Sequence, residues 1–182
     1  MPKIIPGLRS RILASARLQM KETGFSGLSL RNVAKQCNIA VGTTYNYFNS
    51  KADLAMNVMQ EDWNTAMKEA GADTKSCQSP EEAVTAVYKA ISSFTSDYSF
   101  LMHQKEAQNE YSELIARNHT RLVNDISDVL EQIFTRFGYR RKESRIRLMA
   151  VMILAAATSE DRNDEDFAWM AEKVFCKYPP LA

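Results

Sequence analysis

The sequence predicts an all-α protein. Apolar residues recur at helical spacing along nearly the whole chain, no NG or DG turn separates alternating runs, and only six glycines punctuate 182 residues. A first helix from Leu8 to Thr23 presents Ile12, Leu13, Ala16 and Met20 on one face. It stops at Gly24, a residue able to take the left-handed conformation that ends helices, with Phe25 behind it to pack back on the last turn. Ser29 is placed to cap a second, short helix from Leu30 to Cys37, and a third spans Val41 to Phe48. Ser50 caps a fourth, with Asp53 three residues later as the acidic half of a capping box. Leu54, Val58, Met59 and Trp63 carry that helix to about Ala70.

The polar stretch from Gly71 to Ser79 reads as a loop. Ser79, Pro80, Glu81 and Glu82 then start a helix with a serine cap, a proline at the first helical position and a glutamate at the third. Val84, Val87, Tyr88, Ile91 and Phe94 form its buried stripe. A helix over Ser99 to Ile115 follows, then another to Phe137, with Leu122, Ile126, Val129, Leu130, Ile133 and Phe137 in register and Gly138 as the stop. The basic loop Tyr139 to Lys142 leads into a helix ending at Thr158, and a last helix runs from Asp164 to Tyr178, closed by Pro179 and Pro180. The segment Ile146 to Ala157 is apolar almost all round, and the last helix offers Phe167, Trp169, Met170, Val174 and Phe175, wider than one stripe. A helix hydrophobic on all sides needs cover on all sides. These two helices are therefore expected to pair with their copies in a four-helix homodimer interface, the alternative being a fully internal helix.

At 45% hydrophobic and 25% charged residues the chain is of ordinary globular composition, which excludes disordered and fibrous classes. Its net charge of +1 hides a partition. Residues 1–55 hold eight basic side chains (Lys3, Arg9, Arg11, Arg17, Lys21, Arg31, Lys35, Lys51) against Glu22 and Asp53, a balance of +6, and the remainder carries −5. Such asymmetry points to a basic surface facing an anion, nucleic acid or membrane. The start, with Pro2 and Pro6 and no apolar core, does not read as a signal peptide. The longest apolar run, Leu148 to Ala157, is half of the roughly 20 residues that cross a bilayer. No membrane contact and a cytoplasmic location are expected. Cys37, Cys77 and Cys176 show no CxxC spacing, which argues against a disulfide framework and a zinc site. Cys77 in its polar loop is either a bystander thiol or a redox sensor. His103 and His119 lack a partner motif, and no phosphate loop or nucleophile elbow occurs. Neither an enzyme nor a metal or cofactor is expected.

Two short helices joined at Asn38 to Ala40 have the proportions of a helix-turn-helix, and the first and fourth helices are present to cover it. With Thr44 and Phe48 inward, Val41, Gly42, Thr43, Tyr45, Asn46 and Tyr47 are left on the open side. Two tyrosines, an asparagine and a threonine suit a groove lined by phosphate oxygens and base edges.

The run SLRNVAKQCNIAVGTTYNYFNSKADL resembles the DNA-binding module of the TetR/AcrR family of transcriptional regulators. The resemblance is carried by Ile39, Gly42, Tyr45, Tyr47, Phe48, Lys51 and Leu54, with Gly24 and Ser29 upstream, and covers about the first third of the chain. It implies a three-helix DNA-binding domain over residues 1–52 and a helical effector-binding and dimerisation domain over residues 53–182. It further implies that Tyr45, Tyr47 and Lys51 meet phosphates of a double-stranded operator, that Gly42 lets the helix approach, and that Val41, Thr43 and Asn46 reach bases. Ser29 and Arg31 would contact the flanking backbone. The chain departs from the family pattern in Asn38 for the turn glycine, Ala40 for the serine cap and Thr44 for an apolar residue. In such a family the second domain encloses a small-molecule pocket. Candidate lining residues are Met59, Trp63, Tyr88, Phe94, Met102, His103, Tyr111 and Met149, suited to an apolar or aromatic effector whose identity the sequence leaves open. The expected protein is a homodimeric, effector-released repressor of a palindromic operator; the alternative is an all-helical partner-binding protein that does not read DNA.

Overall fold

Helical spacing and end signals are realised in the computed structural model, which describes residues 5–99, 105–140 and 142–177, without the side chains of 105–117, 176 and 177. Among the described residues there are eight helices and no strand: α1 (Leu8–Gly27), α2 (Leu30–Gln36), α3 (Val41–Tyr45), α4 (Lys51–Asp73), α5 (Pro80–Asp97), α6 (Lys105–Arg136), α7 (Glu143–Thr158) and α8 (Asp164–Lys177). They fall into two compact units. One gathers the described residues of 1–63 and 99–111, the other those of 64–98 and 112–182.

In the first unit α1 buries Leu8, Ile12, Leu13, Ala16 and Met20. Gly24 is left-handed at φ 68°, as its end signal predicts, but the chain adds one more turn to Gly27 before leaving the helix, which places Phe25 in the core. At the start of α4 Ser50 Oγ accepts from the Asp53 N–H at 3.0 Å, and the Asp53 carboxylate accepts from the Asn49 N–H at 2.8 Å. The predicted box thus closes one residue earlier on its return side. Ser29 departs from expectation. It sits at the N-cap of α2 with extended backbone, but its hydroxyl makes no cap bond. Its N–H is taken by the buried side chain of Gln19 at 3.2 Å, whose amide also reaches Gln36.

Side chains far apart in sequence tie α1 to α4. Arg17 Nε donates to Asp62 Oδ1 at 2.7 Å and Arg17 Nη2 meets Glu61 at 3.2 Å. Arg9 bonds Asn57 at 2.6 Å and Glu61 at 3.3 Å. Asp62 raises the Arg17 guanidinium above its already high value through its hydrogen bond. Glu61 and Asp62 thereby offset part of the positive excess counted over residues 1–55, and the balance through Trp63 is +4.

In the second unit Ser79 caps α5 by accepting from the Glu82 N–H at 3.2 Å, while the Glu82 carboxylate accepts from Gln78 N–H at 2.7 Å. The preceding loop is held by Arg136, which donates to the carbonyl of Thr74 and, at 2.8 Å, to that of Cys77. Cys77 is buried, and burial raises its thiol above the usual value, which leaves little thiolate for oxidation chemistry.

The sequence predicted two helices where α6 is continuous. No glycine or proline lies between Lys105 and Phe137, so nothing in the backbone interrupts it. Its buried stripe is Val123, Ile126, Val129, Leu130, Ile133 and Phe134, leaving Leu122 and Phe137 half-exposed. Gly138, at φ 72°, ends it. Helix α7 buries Ile146, Ala150, Ile153, Leu154 and Ala157 and leaves Leu148, Val151 and Met152 outside. On α8, Phe167, Ala171 and Phe175 are buried and Trp169 is exposed.

Candidate nucleic-acid interface

The turn between α2 and α3 is set by Asn38, the one described non-glycine residue at positive φ (53°). Its N–H donates to the Lys35 carbonyl at 3.1 Å, and Ile39 returns to Ala34 at 3.0 Å. Asparagine therefore fills the turn position at which the family pattern has glycine. Helix α3 starts at Val41 behind Ala40, whose extended backbone offers no side-chain cap. The helix is shorter than predicted, ending at Tyr45, and Asn46 to Phe48 continue as turns whose N–H groups return to Thr43 and Thr44.

Thr44 and Phe48 face the core, as the spacing requires. Gly42, Tyr45 and Asn46 are exposed, while Val41, Thr43 and Tyr47 are half-buried on the same open side. A Cβ built on Gly42 would meet nothing within 4 Å. The Tyr47 hydroxyl accepts from the Ile5 N–H at 3.2 Å, which leaves its proton for an outside acceptor. Lys51, at the first turn of α4, places its ammonium 3.0 Å from the Ser26 carbonyl and 4.3 Å from the centre of the Phe25 ring. This position is held by the extra turn after Gly24, a dependence the sequence did not signal. Ser29 is half-buried and Arg31 exposed at the start of α2. Arg11 serves the fold, donating to the Cys37 carbonyl at 2.7 Å.

The buried Thr44 hydroxyl has no hydrogen-bond partner among the described residues. An unsatisfied buried hydroxyl costs about 1–3 kcal/mol, so Thr44→Val, which keeps the shape, is expected to stabilise the protein by about 1 kcal/mol. Thermal unfolding should rise by about 3 °C; a fall instead would mean that the hydroxyl is satisfied.

The effector candidates are distributed. Met59 and Trp63 belong to the first unit, half-buried and buried respectively. In the second unit Tyr88 is fully buried and stacked on Phe167, ring centres 3.9 Å apart, and Phe94 leans on Tyr98 at 5.0 Å. The hydroxyls of Tyr88 and Ser92, one turn apart on α5, have no partner among the described residues. Met149 lines a cavity of about 550 Å³ within this unit. Met102 and His103, and the side chain of Tyr111, lie outside the described residues. Sequence reasoning missed the cavity's other walls, among them Phe134, Tyr139, Arg140, Arg145 and Phe175. The basic loop Tyr139 to Lys142 was their one local signal. Among the described residues no three His, Cys, Asp or Glu side chains gather to hold a metal, and no helix is long and apolar enough to cross a membrane.

A helix-turn-helix whose second helix stands open, followed by a helical body, defines a DNA-binding regulator class. The model of the family described as bacterial regulatory proteins, tetR family, matches residues 12–58. Over 133 residues, 71% of this chain and 72% of the relative, it is 28% identical to an HTH-type transcriptional regulator of Staphylococcus aureus. Over 59 residues, 32% of this chain and 30% of the relative, it is 37% identical to the HTH-type transcriptional regulator UidR of Escherichia coli. Among solved structures, a TetR-family regulator from Rhodococcus sp. superposes with TM-score 0.61 at 16% identity, covering 96% of this chain and 99% of that one. RolR in complex with resorcinol gives 0.60 at 20% identity over 96% and 89%. FadR from Bacillus subtilis in complex with stearoyl-CoA gives 0.51 at 20% identity over 91% and 94%. Residues 12–58 thus carry the DNA-binding module of the tetR family of bacterial regulatory proteins.

Proposed function

We propose that this regulator is a repressor that binds a palindromic operator as a homodimer and is released by a small effector with an apolar or aromatic body. The observation that carries the reading is the open side of α3, where Gly42, Tyr45 and Asn46 stand exposed over a seat anchored by buried Thr44 and Phe48. Residues 1–52 read DNA. Tyr45, Tyr47 and Lys51 hold phosphates, Ser29 and Arg31 the flanking backbone, and Val41, Thr43 and Asn46 meet base edges, with Gly42 allowing close approach. Residues 53–182 bind the effector and pair two copies through α7 and α8. Two solved neighbours hold resorcinol and stearoyl-CoA, ligands with apolar or aromatic bodies, which supports that effector class. A cytoplasmic location accords with the role.

Selection of bound sequences from a random DNA pool tests the reading. An inverted repeat is expected to enrich, and its affinity should fall steeply between about 50 and 200 mM salt as several phosphate contacts are screened. Asn46→Ala should cost about 1–3 kcal/mol and relax preference at one base position per half-site. An unenriched pool at low salt overturns the proposal.

A further inference from the structure

The buried face of α1 has a polar member, Gln19, which is 5% exposed. It completes a polar seam. Arg11, Ser15 and Gln19 follow one another at i, i+4 spacing on α1 and run along α2 from its end to its start. Arg11 Nη2 donates to the Cys37 carbonyl at 2.7 Å, and the Ser15 hydroxyl donates to Gln36 Oε1 at 2.5 Å. Gln19 Oε1 accepts from the Ser29 N–H at 3.2 Å, and Gln19 Nε2 donates to the same Gln36 Oε1 at 3.2 Å. Ser29 fixes the sense of both amides. A backbone N–H can only donate, so Gln19 turns its oxygen to Ser29 and its nitrogen to Gln36, whose oxygen points inward. Ser29 and Gln36 lie about two helical turns apart, and the Gln36 side chain leans back toward the helix start, so one amide reaches both. Leu30, Val33 and Ala34 bury the apolar face of α2, but apolar contact has no direction and tolerates sliding and rolling. Hydrogen bonds do not, because they weaken steeply as donor and acceptor lose alignment. A buried amide adds little net stability over an apolar side chain of its size, so its distinctive contribution is to where α2 lies.

We propose that Gln19 is a positioning residue for DNA binding, which fixes the axial position and roll of α2 so that the Ser29 hydroxyl and the Arg31 guanidinium meet backbone phosphates together. Ser29 gives its N–H to Gln19 and makes no cap bond with its hydroxyl, and Arg31 is exposed two residues further on. Gln19 itself is buried and touches no DNA. The role rests on the proposed reading of DNA by residues 1–52. Phosphate contacts set register and carry no sequence information, so Gln19 governs how tightly DNA is held and leaves base preference to α3.

The test is a fluorescence-anisotropy titration of the full-length protein against the labelled duplex that wild type enriches from a random pool. Gln19→Met keeps the length of the side chain and removes both of its hydrogen bonds. It should lower affinity at least about tenfold and enrich the same sequence as wild type. In a Ser29→Ala, Arg31→Gln background the same substitution should cost less than about twofold, because no side chain is left to place. A role in folding alone would cost the same in both backgrounds. If Gln19→Met does not fold, Gln36→Met decides. Gln36 is exposed, and its loss removes the acceptor shared by Ser15 and Gln19. That variant should lose at least about threefold, and again only where Ser29 and Arg31 are present. Wild-type affinity in the folded variant, an equal loss in both backgrounds, or a changed sequence preference sinks this inference alone. Failure of wild type to enrich any sequence at low salt sinks the regulator reading, and this inference with it.

Discussion

Leu148→Arg is expected to break the proposed dimer and to lower affinity for the proposed operator at least about 100-fold. Leu148 and Trp169 are 61% and 63% exposed, with Val151 and Met152 on the same helix as Leu148 also outside the core. Large apolar side chains displayed on neighbouring helices mark a surface that binds something. In a twofold interface each residue occurs twice, so one substitution puts two guanidiniums into one apolar contact. Truncating a central interface residue costs about 2–4 kcal/mol, and burying an unpaired charge costs more. A lone protomer offers one recognition helix and so one half-site, which removes the second half of the specific contacts. Sedimentation at micromolar concentration and a mobility-shift titration check both parts. A variant that stays dimeric and binds the operator as tightly as wild type would show that α7 and α8 do not pair.

Local signals account for what was legible before the structure. The left-handed turn at Gly24, where a helix end was expected and the chain runs on to Gly27, the stop at Gly138 and the Ser79 cap each depend on residues within one turn of one another, so local residues alone placed them. The same holds for α3, where the inward pair Thr44 and Phe48 leaves the other side open by helical geometry. Contacts between distant positions left no such trace. Arg17 and Asp62 are 45 residues apart, and Arg136 reaches the loop at Thr74 and Cys77 from 62 and 59 residues away. Either arginine reads in the sequence as a solvated charge. The cavity is harder still, because α5, the end of α6, the loop after it, α7 and α8 all contribute to it. Ser29 shows the limit of a cap signal: a buried glutamine from another helix claimed its N–H, and no local pattern encodes that competition.

Gly42→Glu is expected to leave the fold intact or firmer and to lower DNA affinity at least about 100-fold, equivalent to about 2.7 kcal/mol. The two effects have opposite signs because they arise on opposite sides of one backbone position. On the protein side a Cβ at residue 42 meets nothing within 4 Å, so a side chain displaces no neighbour. Replacing glycine inside a helix gains about 0.5–1 kcal/mol, and a carboxylate in the first turn gains about 0.3–1 kcal/mol from the helix dipole. Helix α3 has no acidic residue there to compete for that benefit. On the other side stands the proposed DNA, where the same carboxylate fills the space that permits close approach and repels phosphates. Gly42→Gln separates size from charge: it should retain more affinity than Gly42→Glu, and the gap should narrow as salt screens the repulsion. Thermal unfolding reads the first effect and a mobility-shift titration the second. If the glutamate variant binds DNA like wild type while unfolding no earlier, the open side of α3 faces something other than the groove.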